Sequence, residues 1–225
     1  MSSRDAILSK IRASLGAKGS GAARRAGIEK RITEKARHPI PGRVKGKAPE
    51  QLLKLLRTFL EGQSATVLEI ATRADLPAAV ADYLRNNNLP FRLRVGGDPY
   101  LTQAPWGQEP QLEVMLGRAQ ANDEVGLSHA IAAVAETGTL LLPSGPENPV
   151  TLNFLPDTHV IVVEVKDIVG PYEDAWDRVR ARFGDRRMPR TVNMISGPSR
   201  TADIGGKVVL GAHGPRRMCV MIVKG

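Results

Sequence analysis

Apolar positions along this chain follow two rhythms, and the places where one gives way to the other lay out its elements. Residues 5–15, DAILSKIRASL, place Ile7, Leu8, Ile11 and Leu15 at helical spacing, with Asp5 in the first turn. The next stretch, GAKGSGAARRAG, reads as a flexible break, and little is available to bury before residue 49. Residues 1–48 therefore read as an arm with one amphipathic helix. The segment PEQLLKLLRTFLEG, 49–62, has Pro49 at a helix start, Leu52, Leu53, Leu56 and Leu60 on one face, and a closing Gly62. A strand in SATVLEIA follows, then a helix in DLPAAVADYLRNNN capped by Asp75, then a strand in LPFRLRVG.

This alternation predicts a parallel sheet covered by helices. GDPYLTQAPWGQEP reads as a loop and QLEVML as a strand. Beyond residue 123 short β-prone pieces alternate with glycine, and TLLL forms a buried strand. HVIVVEV, 159–165, is apolar without alternation, as expected of a strand covered on both faces. PYEDAWDRVRARFG is a helix turning Ala175, Trp176, Val179 and Phe183 inward, and TVNMISG, KVVLGA and MCVMIV complete the strands. No fixed-period repeat interrupts the pattern. The reading is one α/β domain, 49–225, with a mixed, mainly parallel sheet flanked by helices, preceded by a basic helical arm.

Composition refines this picture at three points. The formal charge of +9 is uneven: residues 1–60 hold 15 Lys and Arg against 4 acids, while the remainder is nearly balanced. Basicity thus belongs to the N-terminal portion, and no aromatic platform interleaves it, which disfavours nucleic-acid binding against solvation or docking on an acidic partner. One cysteine, Cys219, cannot form an internal disulfide or hold an iron–sulfur cluster. With no secretory signal in view and no run of the roughly 20 apolar residues that a membrane span needs, the expected location is the cytoplasm.

Candidate chemistry concentrates in three polar segments at strand ends: AETGT (135–139), SGPSRTAD (196–203) and AHGPRR (212–217). Arg200 offers a planar donor fork for a carboxylate or phosphate, and Ser199 and Thr201 add hydroxyls. Gly197 and Gly214 let backbone amides approach an anion. Asp203 either contacts ligand or braces Arg200. Thr137 and Thr139 either face ligand or satisfy the turn at Gly138. Glu136 is either a general base or nucleophile, or a brace for its turn. His213 is either a proton carrier or a half-buried structural imidazole. No phosphate-loop or dinucleotide fingerprint is present, and the four histidines and one cysteine show no metal-ligand spacing, so neither metal nor cofactor is expected.

Taken in order, IAAVAETGTLLLPSGP, LPDTHVIVVEV, ISGPSRTADI and VVLGAHGPRRMCVMIV resemble the lactate utilization protein C family, also called the LUD domain family. The N-terminal helix is similar as well. The resemblance implies a fold of the ribose-phosphate isomerase, glucosamine-phosphate deaminase and CoA-transferase type. It also implies a role in oxidising lactate to pyruvate beside iron–sulfur partner proteins. An acidic residue commonly follows SRTADI in that family, where this chain has Gly205. The function expected from all of this is an accessory component that binds a small anion. The alternative is a stand-alone enzyme of transferase or isomerase type using Glu136.

Overall fold

A computed structural model describes residues 2–16, 21–204 and 207–225, with only the backbone described at 202–204, 207 and 208. The chain divides into two units, Met1–Pro39 and Ile40–Gly225. Residues 40–48 thus belong with the α/β unit, earlier than the boundary expected at residue 48, because Val44 is buried among its core residues.

Among its described residues the first unit has two helices, not the single one expected: α1, Ser3–Leu15, and α2, Ala22–Glu34. Ser2 caps α1 by a reciprocal bond pair, its hydroxyl accepting from the Asp5 amide and its own amide donating to Asp5. Neither helix buries a residue, and Ile7, Ile11, Leu15, Ile28 and Ile32 are exposed. The second helix escaped sequence reading because its glycines and paired arginines look like a break.

In the second unit α3, Pro49–Gly62, leads into β1, Thr66–Ile70; α4, Leu76–Asn86, leads into β2, Arg92–Val95. Asp75 does not cap α4 by side chain; its carboxylate accepts from the Thr72 amide and hydroxyl and closes the short turn before the helix. The segment read as a loop contains α5, Pro99–Thr102, before β3, Glu113–Leu116. Next come β4, Val125–His129; β5, Ala132–Val134; β6, Thr139–Pro143; α6, Val150–Phe154; and β7, Thr158–Glu164. The chain finishes with β8, Ile168–Val169; α7, Tyr172–Phe183; β9, Val192–Ile195; β10, Arg200–Ile204; β11, Lys207–Leu210; and β12, Arg217–Val223.

The fold is α/β with a parallel central sheet, but the described strands form three sheets and not one. Six run parallel in the order β1-β12-β7-β4-β2-β3, four form a mixed sheet β8-β5-β6-β9, and β10 pairs with β11 as a hairpin. The central strands explain the continuous apolar runs. In β7, Val160 and Val162 face a core containing Leu76, Val80 and Leu84 of α4, while Ile161 and Val163 face Leu56 and Leu60 of α3 with Leu140 and Leu142 of β6. Each such fully buried aliphatic side chain contributes about 1.5–3 kcal/mol. The small sheet is itself covered on its outer face, where Ala132, Val134 and Leu141 meet Ala175 and Val179 of α7.

Candidate functional site

Two regions of polar chemistry flank the six-stranded sheet, one at each end of its strands. At the amino ends of β7 and β12, a hollow of about 260 Å³ is walled by the 196–200 turn, by His213, Gly214 and Pro215, and by Asn153, Phe154, His159 and Met218. The two turns are tied by main chain. The Ser199 amide donates to the Pro215 carbonyl (2.8 Å), Gly211 donates to the Ser199 carbonyl (3.0 Å), and the His213 amide donates to the Ser199 hydroxyl (3.1 Å). This lacing is why the adjacent Ser199 and Arg200 share one rim with His213, which is separated from them in sequence.

Arg200 is exposed, and its Nη2 donates to the Gln63 carbonyl (2.9 Å) and to the Ser64 hydroxyl just beyond α3. The guanidinium carries five donors, so this anchoring fixes its plane and leaves Nε and Nη1 as further donors. The floor is neutral. His159 is wholly buried, and its Nε2 meets the Ser128 hydroxyl (3.0 Å), which in turn reaches Asn153 Oδ1 (3.2 Å). Burial drives the His159 pKa down to about 3, so the ring is uncharged at neutral pH. Asn153 is fully buried, and its Nδ2 donor has no hydrogen-bond partner among the described residues. An orphaned buried donor in the wall of a hollow calls for an acceptor there.

Of the residues singled out from sequence, Gly197, Ser199, Arg200, His213 and Gly214 line this hollow. Thr137 and Thr139 do not line it; their hydroxyls pair at 2.7 Å, and both meet the Tyr172 hydroxyl at 2.8 Å. Thr139 also meets the Ser196 hydroxyl at 2.8 Å, which ties that turn to the wall of the hollow. Glu136 is half-buried, its amide donating to the Gly170 carbonyl, and it is absent from the lining. The lining of this hollow thus includes Arg200 and His213 but not Glu136. Thr201 is buried on β10. The side chain of Asp203 and all of Gly205 lie outside the described residues.

Two glycines have reasons other than ligand approach. Gly138 has φ +70°, and a Cβ there would stand 2.7 Å from the Phe59 Cβ, so the turn packs directly on α3. A Cβ on Gly197 would stand 2.8 Å from the Gln63 Cβ.

The carboxyl ends of the same strands carry a different set that sequence reading missed. His129 closes β4 and Glu164 closes β7, while Asp98 and Asp167 follow β2 and β7 by three residues each. In the strand order, β2 has β3 on one side and β4 on the other, so the chain reverses direction across the sheet there; ligands of open parallel sheets bind at such carboxyl-end reversals. His129 Nδ1 meets Asp98 Oδ2 at 3.2 Å, and the ring stacks on Tyr100 at 4.4 Å. Burial opposes the Asp98 charge, but bonds from His129 and the Tyr100 amide outweigh it and hold the carboxyl below its usual range. Asp98 and His129 also line a hollow of about 370 Å³ with the 143–148 segment and Arg182. One nitrogen of His129 and one oxygen each of Glu164 and Asp167 lie within 4.8 Å of one another. Sequence spacing shows nothing of this grouping, since these residues are distant in sequence and meet only through strand pairing.

The model of the LUD domain matches residues 47–223. The chain belongs to the LUD domain family. An uncharacterized protein of Neisseria meningitidis is 36% identical over 119 residues, covering 53% of this chain and 50% of that protein. A lactate utilization protein C of Shouchella clausii is 32% identical over 100 residues, 44% of each chain, and one of Anoxybacillus flavithermus is 28% identical over 182 residues, 77% of each. The matched part spans about half the length of the first of these relatives. A solved DUF162 family protein from Deinococcus radiodurans, 23% identical, superposes with a TM-score of 0.60 over 79% of this chain and 99% of that one. That likeness concerns the fold. No described helix of this LUD protein is long and apolar enough to cross a membrane.

Proposed function

We propose that this LUD protein is an accessory component of lactate utilization that binds a small carboxylate in the amino-end hollow. The observation that carries the reading is the donor set around that hollow. Arg200 is anchored at the rim, Ser199 is beside it, and the unpartnered Asn153 amide lies in the wall. These groups suit a carboxylate with a neighbouring polar oxygen, and L-lactate and pyruvate have that form. The naming of several relatives as lactate utilization protein C supports the pathway.

In this reading the protein works in the cytoplasm beside iron–sulfur partners, which carry the electrons, and docks on them through its basic N-terminal portion. The exposed apolar residues of α1 and α2 and the positive charge of that portion support the docking role. Deleting residues 2–39 then abolishes co-purification with those partners and leaves ligand binding intact. The alternative enzyme reading, with Glu136 as nucleophile or base on a fold of CoA-transferase type, has less support, because Glu136 is not in the lining.

A thermal-shift screen against L-lactate, pyruvate, CoA esters and sugar phosphates tests the site. A ligand at 100 times its Kd stabilises the fold by about 2.7 kcal/mol. A rise in Tm with lactate or pyruvate that disappears in Arg200→Ala is the expected result; a flat response to both acids removes the proposal.

A further inference from the structure

We propose that His129, Glu164 and Asp167 form a binding site for a divalent first-row metal ion at the carboxyl ends of β4 and β7, oriented by Asp98. The site is independent of the amino-end hollow and of the function proposed for it.

The donor set comes first. An imidazole nitrogen and two carboxylate oxygens suit zinc or manganese, which take mixed nitrogen and oxygen ligands. Ligand atoms around a zinc ion stand about 3.3 Å apart, so the set closes on a cation by side-chain movement of roughly an ångström. Three protein ligands leave coordination positions for water or an added anion.

The imidazole is already arranged as a ligand. Asp98 accepts from Nδ1, and a neutral ring donating there presents its lone pair at Nε2. That carboxylate–histidine pairing is the arrangement that fixes the tautomer of metal-bound histidines. Nε2 is buried and has no hydrogen-bond partner among the described residues. The hydroxyl of Tyr100, whose ring stacks on His129, is likewise buried and unpartnered. Two buried polar atoms without a partner among the described residues, on a ring pair whose histidine groups with Glu164 and Asp167, are consistent with an occupant there.

The local charges are compatible with a cation. Lys166 pairs with Glu164 through Oε2 at 2.9 Å, and Arg178 pairs with Asp167 through Oδ1. Each carboxylate therefore has a second oxygen for coordination. A bound cation would offset the mutual repulsion of the two neighbouring carboxylates.

The test uses the full chain, dialysed against a chelator and titrated calorimetrically with Zn²⁺ and separately with Mn²⁺. The proposal expects one saturable equivalent per chain for at least one of the two ions. Glu164→Gln and His129→Gln, each verified as folded by circular dichroism, should weaken that binding tenfold or more. Asp98→Asn retains the shape but alters the orienting bond, and a loss of about 10–100-fold is expected. Arg200→Ala should bind the ion as the unmodified protein does. Absence of saturable binding by both ions overturns the proposal, because the orphaned atoms then hold water. Binding that survives both Glu164→Gln and His129→Gln overturns it equally, since the ion then sits elsewhere.

Discussion

The two ends of the central sheet carry opposite chemistry on a shared set of strands. At the amino ends the hollow presents hydroxyls, an amide, a neutral imidazole and a guanidinium, a set that welcomes negative charge. At the carboxyl ends the groups are three carboxylates about one imidazole, partly offset by Lys166 and Arg178. β7 joins the two directly, with His159 near its start and Glu164 at its end. The difference teaches that the location of a residue on a parallel strand decides little by itself, and that the charge of the side chains gathered there sets the chemical character of each end.

The largest effect on this comparison comes from separating the strands that frame the carboxyl-end crevice. Arg94 of β2 holds Asp123, just before β4, through a buried pair of bonds at 2.8 and 3.2 Å. Removing one partner leaves an uncompensated buried charge, so Asp123→Ala should cost about 3–5 kcal/mol in urea unfolding. A loss under 1 kcal/mol would mean that the pair does not brace β2 against the approach to β4.

Next in size is a steric contrast between the ends. A Cβ on Gly96, one residue beyond β2, would lie 2.0 Å from the Glu147 carbonyl oxygen, whereas one on Gly197 would meet the Gln63 side chain at 2.8 Å. Backbone yields less readily than side chain, so Gly96→Ala should cost about 1–3 kcal/mol and Gly197→Ala less. Chemical denaturation of both variants checks the order, and equal losses would break the contrast.

The ends also differ in their response to acid. The folded His159 pKa lies near 3, below its ordinary 6.5, so the unfolded chain binds the proton first. Stability is present above pH 6.5 and falls as the pH drops toward 3, by up to about 1.4 kcal/mol per pH unit. The depressed carboxyls of Asp98 and Asp123 add their loss only below the ordinary carboxyl range, as the pH falls toward their folded pKa values. Between pH 6.5 and about 4.5 the slope should therefore flatten in His159→Gln, as measured by Tm against pH; an unchanged slope would place the acid response elsewhere.

These contrasts also explain what could be read from the sequence. α3 and α7 were legible because apolar residues recur at helical spacing between clear start and stop signals. β7 and β12 were legible because both faces of each are buried, which leaves an unbroken apolar run. The division into separate sheets was not, since β5 and β8 are too short for a pattern and pairing direction leaves no trace in a run of valines. The amino-end rim was visible because Ser199, Arg200 and His213 lie in turns marked by glycine and proline. Its floor was hidden: Asn153 and His159 look ordinary in their segments and gain meaning only by burial beside Ser128. The carboxyl-end cluster was hidden for the same reason, its members being single polar residues that close or follow three different strands.

A crossed titration tests the division of labour most directly. The unmodified protein, Arg200→Ala and Glu164→Gln are each followed by thermal shift with L-lactate and, separately, with Zn²⁺ or Mn²⁺. The account predicts that Arg200→Ala loses only the response to lactate and Glu164→Gln loses only the response to the metal ion. Loss of both responses in either variant, or of neither in both, would contradict two separate sites of opposite charge preference.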